Sequence, residues 1–230
     1  DFPTGEVNQK VVPSATSKEI HDTVKVMGGE DWELWIDFLE KENLLDDGAM
    51  TVAYSYIGSS LTQALYRNGT LGRAKEHLET TAKRLDERLS SINGRAFVSV
   101  NKAIVTRASV VIPNIAIYVA ALYQVMKEKN LHEGAIEQMY RLFGDYLTQD
   151  SFPVDDENRL RLDDWELRPD VQEEVLEIWN HLTPENAEQI ADLQGFREDF
   201  YQFFGFGFDE IDYERDVDLF NTYRASVHTA

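Results

Sequence analysis

MTVAYSYIGSSLTQALYRNGTLGRAKEHLE, residues 50–79, changes its period midway, and that change sets the fold. Met50 to Ile57 is rich in β-branched and aromatic residues and reads as a strand, which Gly58, Ser59 and Ser60 then break. After the break Leu71, Ala74, Leu78, Ala82 and Leu85 recur at helical spacing. Thr70 is available as the N-cap, and Glu79 with Lys83 reads as an i,i+4 pair on the wet side. Strand, loop and helix in that order place Tyr56 and Tyr66 around a strand's C-terminal end, where open α/β sheets hold their ligands.

The spacing of Tyr66 and Lys75 carries the chemistry. On one unbroken helix the two side chains would be about 900° apart and face opposite ways. Gly69 and Gly72 lie between them and permit a bend, so a phenol before the helix and an ammonium in its first turns can converge on one cavity. A phenol beside a cation is expected to have its pKa pulled below about 10, which suits a proton donor to a developing oxyanion. Amphipathic packing of the tyrosine and solvation of the lysine fit the same spacing, so the residues alone leave both readings open.

Composition narrows the classes. With 42 acidic against 22 basic residues, the net charge of −20 repels phosphate backbones and anionic lipid, so nucleic acid is not an expected partner. Hydrophobic residues at 43% and aromatics at 11% suffice for a packed core in one large or two small domains. The absence of cysteine excludes disulfides and thiolate metal sites, and no basic n-region with an apolar stretch opens the sequence, so a cytosolic address is expected.

Elsewhere, Asp1 to Ser17 reads as a short hairpin or loop. A helical apolar face runs from Ile20 through Val24, Met27, Trp32, Trp35, Ile36 and Leu39 past Gly28-Gly29. Glu30 and Asp31 follow those glycines at once and disfavour an anion, so they read as a close helix contact rather than a phosphate loop. Arg95 to Val100 is a second short strand, ended by Asn101-Lys102. Ala108 to Met126 is uncharged over nineteen residues, but Pro113, Asn114 and its tyrosines favour a buried helix beginning near Pro113 and lining or covering an apolar pocket over a membrane span. His132, Glu133 and Glu137 do not complete a metal motif, and no metal is expected. Val154 to Leu162 reads as a hairpin around Asp155–Asn158. Pro169 opens a helix, Thr183-Pro184 opens another ending at Gly195, and Phe196, Phe200, Phe203 and Phe204 form an apolar docking stripe.

Five segments, YSYIG, LYRNGTLGRAKEHL with its Tyr66-x8-Lys75 pair, VSVNKAIVTRAS, VMKEKNLHEGAIEQ and RLRLDDWEL, together resemble the trans-2-enoyl-CoA reductase family, which includes the FabV-type enoyl-ACP reductases. The resemblance runs from about Asp1 to about Phe220. It implies an α/β fold: the helix-rich C-terminal part of a short-chain-dehydrogenase-like Rossmann fold, with the N-terminal nucleotide-binding half missing. The divisions it suggests are 1–49, a hairpin or loop and helices leading into the core; 50–130, the catalytic strand-helix segment and acyl-pocket helices; and 131–230, a C-terminal helical region with a small hairpin.

The implied activity is NADH-dependent reduction of the 2,3 double bond of an enoyl-CoA or enoyl-ACP in fatty acid synthesis, without metal or flavin. By position, Tyr66 would be the proton donor, Lys75 would hold the nicotinamide ribose, Tyr56 would hydrogen-bond the substrate carbonyl, and Ile104, Val105 and Thr106 would touch the nicotinamide end of NADH. The sequence departs from the family at Pro113-Asn114-Ile115-Ala116, which bears on the acyl pocket, and at Ala135, where the family often has cysteine. Without its nucleotide half the chain is expected to be inactive alone and to cover its open sheet edges by an oligomer contact. The alternative is a non-catalytic, acidic helical binding module that retains the apolar pocket.

Overall fold

The β-rich run of the opening stretch forms strand β1 (Met50–Ser55), two residues shorter than expected, and Arg95–Val100 forms β2. The structure, a computed structural model, describes residue 11 and residues 13–112, 114–148 and 152–216; most of the expected N-terminal hairpin, and Pro113, lie outside them. β1 and β2 pair in parallel, with Val52 opposite Phe97. Helix α4 (Thr70–Leu89) makes the crossover between them.

Residues 154–162 correct the reading as a simple hairpin. The turn is present, with Asn158 at φ +61° and Val154 bridged antiparallel to Leu160, but the returning residues Arg159–Arg161 form β3, which pairs in parallel with β2. The described sheet is thus three parallel strands in the order β1-β2-β3. A three-residue strand is too short to show a period, so its partner is set by tertiary contact.

Central β2 is buried on both faces, as parallel strands are. Alternation sends Ala96, Val98 and Val100 toward α4, where they meet Leu85, Leu89 and Ala82, and sends Phe97 to the other face with Leu142, Leu147, Leu160 and Leu162. Outside α4 lie α1 (Ser17–Met27), which begins with a Thr16/Glu19 capping box, and α2 (Glu30–Lys41). The expected close contact at the glycine pair is present: a Cβ on Gly29 would lie 2.3 Å from the Thr81 side chain of α4.

Three helix readings need correcting. The first helical residue of α4 is Thr70, behind an N-cap at Gly69, and Glu79 pairs with Arg67 and Arg159 while Lys83 pairs with Glu157. The uncharged run, by contrast, divides where expected: a short α5 (Arg107–Val111) precedes the buried helix α6 (Ile115–Glu128), and Asn114 between them takes a left-handed conformation at φ +67° that a helix cannot continue through. Gly195 does not end a helix but sits in the first turn of α10 (Leu193–Phe203), capped by Asp192. Of the aromatic stripe Phe196 is buried, whereas Phe203 and Phe204 are about half exposed.

Helix α6 is the centre of the largest apolar cluster, packed by Val171 and Val175 of α8 (Pro169–His181) and Phe196 of α10. Among the described residues no helix is long and apolar enough to cross a membrane. Helices α3 (Gln63–Tyr66), α7 (Ala135–Arg141) and α9 (Ala187–Ile190) complete the helices, with α7 running on into a π-helical turn at Leu142–Leu147.

Candidate active site

Three strands that run the same way end together, and the residues just past those ends make the site. Beyond β1, Gly58 at φ +82° turns the chain into α3, which ends at Tyr66. A tight turn then leads into α4. A Cβ on Gly72 would lie 2.0 Å from the Arg67 carbonyl oxygen, so only glycine lets the first turn of α4 pack against the end of α3. The salt bridge from Arg67 Nη1 to Glu79 Oε1, 2.9 Å, holds the two helices in that relation.

The bend brings Tyr66 and Lys75 together. The Lys75 ammonium stands 5.7 Å from the Tyr66 ring centroid, and the Tyr56 ring meets Tyr66 edge-on at 4.7 Å. Lys75 Nζ donates to Ser55 Oγ, the last residue of β1, at 3.2 Å. An ammonium has three donors, so two remain for a ligand's hydroxyl groups. An ammonium with donors to spare beside Tyr66 suits a polyhydroxylated ligand such as a ribose.

The electrostatics correct one expectation. The Tyr66 phenol is not pulled down by Lys75; burial first, and the negative charge of Glu166 second, push it up to about 12. Burial lowers Lys75 to about 8, against the opposing pull of Glu79. Tyr56 and Tyr118 are raised further, again by burial and then by Glu166.

Glu166 is the residue that sequence reasoning passed over. It lies beyond β3 in RLRLDDWEL, fully buried. Its Oε1 accepts from the Tyr56 hydroxyl at 2.9 Å and from the Tyr118 hydroxyl of α6 at 2.7 Å, while Oε2 accepts from the Ala103 backbone N–H, beyond β2, at 2.6 Å. One carboxyl therefore ties all three strand ends to α6. Gln172 of α8 donates to the Glu166 carbonyl at 2.7 Å and to the Tyr118 hydroxyl at 3.2 Å. Lys102 is buried nearby, donating to the Ala103 carbonyl at 3.1 Å with its ammonium 5.3 Å from the Tyr123 ring, and burial lowers it to about 8. The only local hint was acidity after an alternating run, and nothing there separates buried Glu166 from exposed Asp164.

The remaining candidates fall into place around this centre. Val105 is buried in the cluster that holds Tyr66, Ile104 is half-buried, and Thr106 caps α5 through reciprocal hydrogen bonds with Ser109. Glu133 is bound by Arg141 and Glu137 closes the cap of α7, and no group of three potential ligands is placed for a metal among the described residues. A separate depression of about 360 Å³, lined by His21, Val24, Lys25, Glu30, Glu33 and His77, contains none of the expected site residues, and its His77 Nδ1 is already engaged by the Gly29 N–H at 2.9 Å.

Residues 1–148 match a family model described as the trans-2-enoyl-CoA reductase catalytic region, and residues 154–217 match one described as the enoyl reductase FAD binding domain. An enoyl-[acyl-carrier-protein] reductase [NADH] of Coxiella burnetii is 54% identical over 221 residues, which is 95% of this chain and 54% of the relative. A trans-2-enoyl-CoA reductase [NADH] of Ruminiclostridium cellulolyticum is 49% identical, covering 95% of this chain and 55% of the relative. The crystal structure of the Clostridium acetobutulicum trans-2-enoyl-CoA reductase in complex with NAD superposes with a TM-score of 0.91 at 47% identity, over 98% of this chain and 59% of that one. The chain thus spans about half the length of the curated relatives it matches.

Proposed function

The chain belongs to the trans-2-enoyl-CoA reductase family, and on that premise we propose that it supplies the acyl-activating part of an NADH-dependent enoyl-thioester reductase. The observation that carries the reading is the convergence of Tyr66, Lys75 and Tyr56 at the strand ends, with the ammonium 5.7 Å from the Tyr66 ring.

NADH, when bound, supplies the hydride that reaches the β-carbon of the enoyl group. Tyr66 donates its proton to the acyl oxygen as negative charge gathers there; no hydrogen bond to another described residue holds that proton back. Lys75 uses the donors that Ser55 leaves free to hold ribose hydroxyls, and Ile104, Val105 and Thr106 border the nicotinamide end. Tyr56 borders the thioester end, where its hydroxyl reaches the acyl oxygen only by exchanging its hydrogen bond to Glu166. The helix-ringed core around α6 forms the apolar wall for the acyl chain.

No strand described here is followed by a glycine-rich turn, so we place the cofactor's pyrophosphate on architecture beyond the span this chain shares with its relatives. We therefore expect the 230 residues alone to be inactive. In the segment matching the FAD-binding description, Asp192 caps the N-terminus of α10 and pairs with Lys127, so that helix start is already filled by a carboxylate, and Asp170 in the first turn of α8, paired with Arg168, sets negative charge against a pyrophosphate there.

The test is Tyr66→Phe in the full-length protein, assayed by single-turnover NADH oxidation with a short enoyl-CoA. A positioned general acid contributes roughly 10²- to 10⁴-fold, and a loss in that range with unchanged circular dichroism is expected. Wild-type turnover in Tyr66→Phe would move the donor role elsewhere.

A further inference from the structure

We infer that Glu166 is a positioning residue of this site: its buried carboxylate takes the only hydroxyl proton of Tyr56 in a hydrogen bond, and so leaves Tyr66 as the phenol whose proton is free to move to an acyl oxygen. The inference rests on the reductase reading for its chemistry and on the hydrogen-bond pattern for its assignment.

Each phenol has one proton to give. Tyr118 accepts from Gln172 Nε2 and directs its own proton to Glu166 Oε1. Tyr56 has two oxygens in reach, Glu166 Oε1 at 2.9 Å and Thr62 Oγ1 at 3.4 Å; the Thr62 hydroxyl points at the Ser59 carbonyl, and the shorter, charged acceptor wins. The Ala103 N–H fixes Oε2, so the carboxyl cannot turn away. Two adjacent tyrosines are thereby made unequal: among the described residues the Tyr56 hydroxyl is held by Glu166 and the Tyr66 hydroxyl by none.

The charge acts in the same direction. Among the described residues Glu166 bears on Tyr56 just beyond β1, Tyr118 of α6, Tyr66 of α3 and Lys102 beyond β2. A carboxylate beside Tyr66 opposes formation of its phenolate, so the donor stays loaded until strongly alkaline pH. Burial raises Glu166 itself, while its hydrogen bonds and Lys102 favour the carboxylate.

The experiment uses E166Q and E166D in the full-length protein, with two readouts. The first is ultraviolet titration of tyrosine ionisation, which needs no turnover. Removing the charge in E166Q should move the ionisation of Tyr66, Tyr56 and Tyr118 to lower pH than in the wild type, and the component contributed by Tyr66 should be absent from the E166Q/Y66F double variant. The second is steady-state kinetics. In E166Q, kcat should fall by about 10²-fold, the cost of misplacing reacting groups by about an ångström, with its alkaline limb moved to lower pH and the KM for NADH unchanged.

E166D keeps the charge but is too short to hold Tyr56, so it should lose rate while its alkaline limb stays where the wild type has it. If E166Q does not fold, wild-type kcat in E166D overturns the assignment. Unchanged tyrosine titration in E166Q, or equal losses in both variants without any shift of the alkaline limb, would reduce Glu166 to packing. A wild-type protein that oxidised no NADH with enoyl-CoA would instead overturn the reductase reading, and the tyrosine titration would still decide Glu166.

Discussion

Replacing Gly72 with alanine tests the geometry on which the whole site depends. The added Cβ would sit 2.0 Å from the Arg67 carbonyl oxygen, 2.4 Å from its carbon and 2.8 Å from its Cα. All three are backbone atoms, so no side chain can rotate out of the way and the turn between α3 and α4 must open. Overpacking of this kind costs typically 1–3 kcal/mol, and alanine recovers up to about 1 kcal/mol of helix propensity. A clash with rigid backbone belongs at the upper end of that cost, so a net loss of about 2 kcal/mol follows, or roughly 4–8 °C in Tm for a protein of this size. The larger effect falls on function. Opening the turn shifts Tyr66 relative to Lys75, and a displacement of about 1 Å costs on the order of 10²-fold in rate. Gly144→Ala is the control, since nothing lies within 4 Å of the Cβ it would add. Thermal melts with single-turnover NADH oxidation decide the matter. Gly72→Ala with wild-type Tm and wild-type rate would show that the two helices are not held at this contact, and the convergence of Tyr66 and Lys75 would lose its structural cause.

Lys75→Met should raise the KM for NADH, and in the wild type the same KM should rise as pH passes about 8, where the buried ammonium loses its proton; Lys75→Arg should flatten that rise. Because the folded-state pKa of Lys75 lies below the ordinary 10.5, the unfolded chain binds more protons between those values, so the lysine's contribution to stability should increase with pH across that window, as denaturant titrations at several pH values would read. Arg141→Met should destabilise by about 3–5 kcal/mol in urea melts, because it leaves the buried Glu133 carboxylate, now bound at 2.7 Å, without its cation, and an unmoved midpoint would contradict this. That variant should also lower activity, since Arg141 stacks 4.3 Å from the ring of Trp165 and donates to the Leu162 carbonyl at 2.6 Å, bracing the segment that carries Glu166.

Local pattern was enough to place β1, β2, α4 and α8, since each has a run long enough to show its own period or a start signal such as Pro169. It was also enough to show that the glycines between Tyr66 and Lys75 permit a bend, and the structure has that bend. What it could not supply were quantities that depend on neighbours distant in the chain. β3 is three residues long and acquires its direction only by lying against β2. The Tyr66 pKa was expected to follow the nearby cation, but burial and a carboxylate one hundred residues further along set it instead. Glu79 chose Arg67 and Arg159 over Lys83 for the same reason: a side chain on a helix face pairs with whatever the fold brings over it. Glu166 is the extreme case. As a sequence position it is one acid among three after an alternating run, and it becomes the knot of the site only because three parallel strands end at the same level and α6 passes above them.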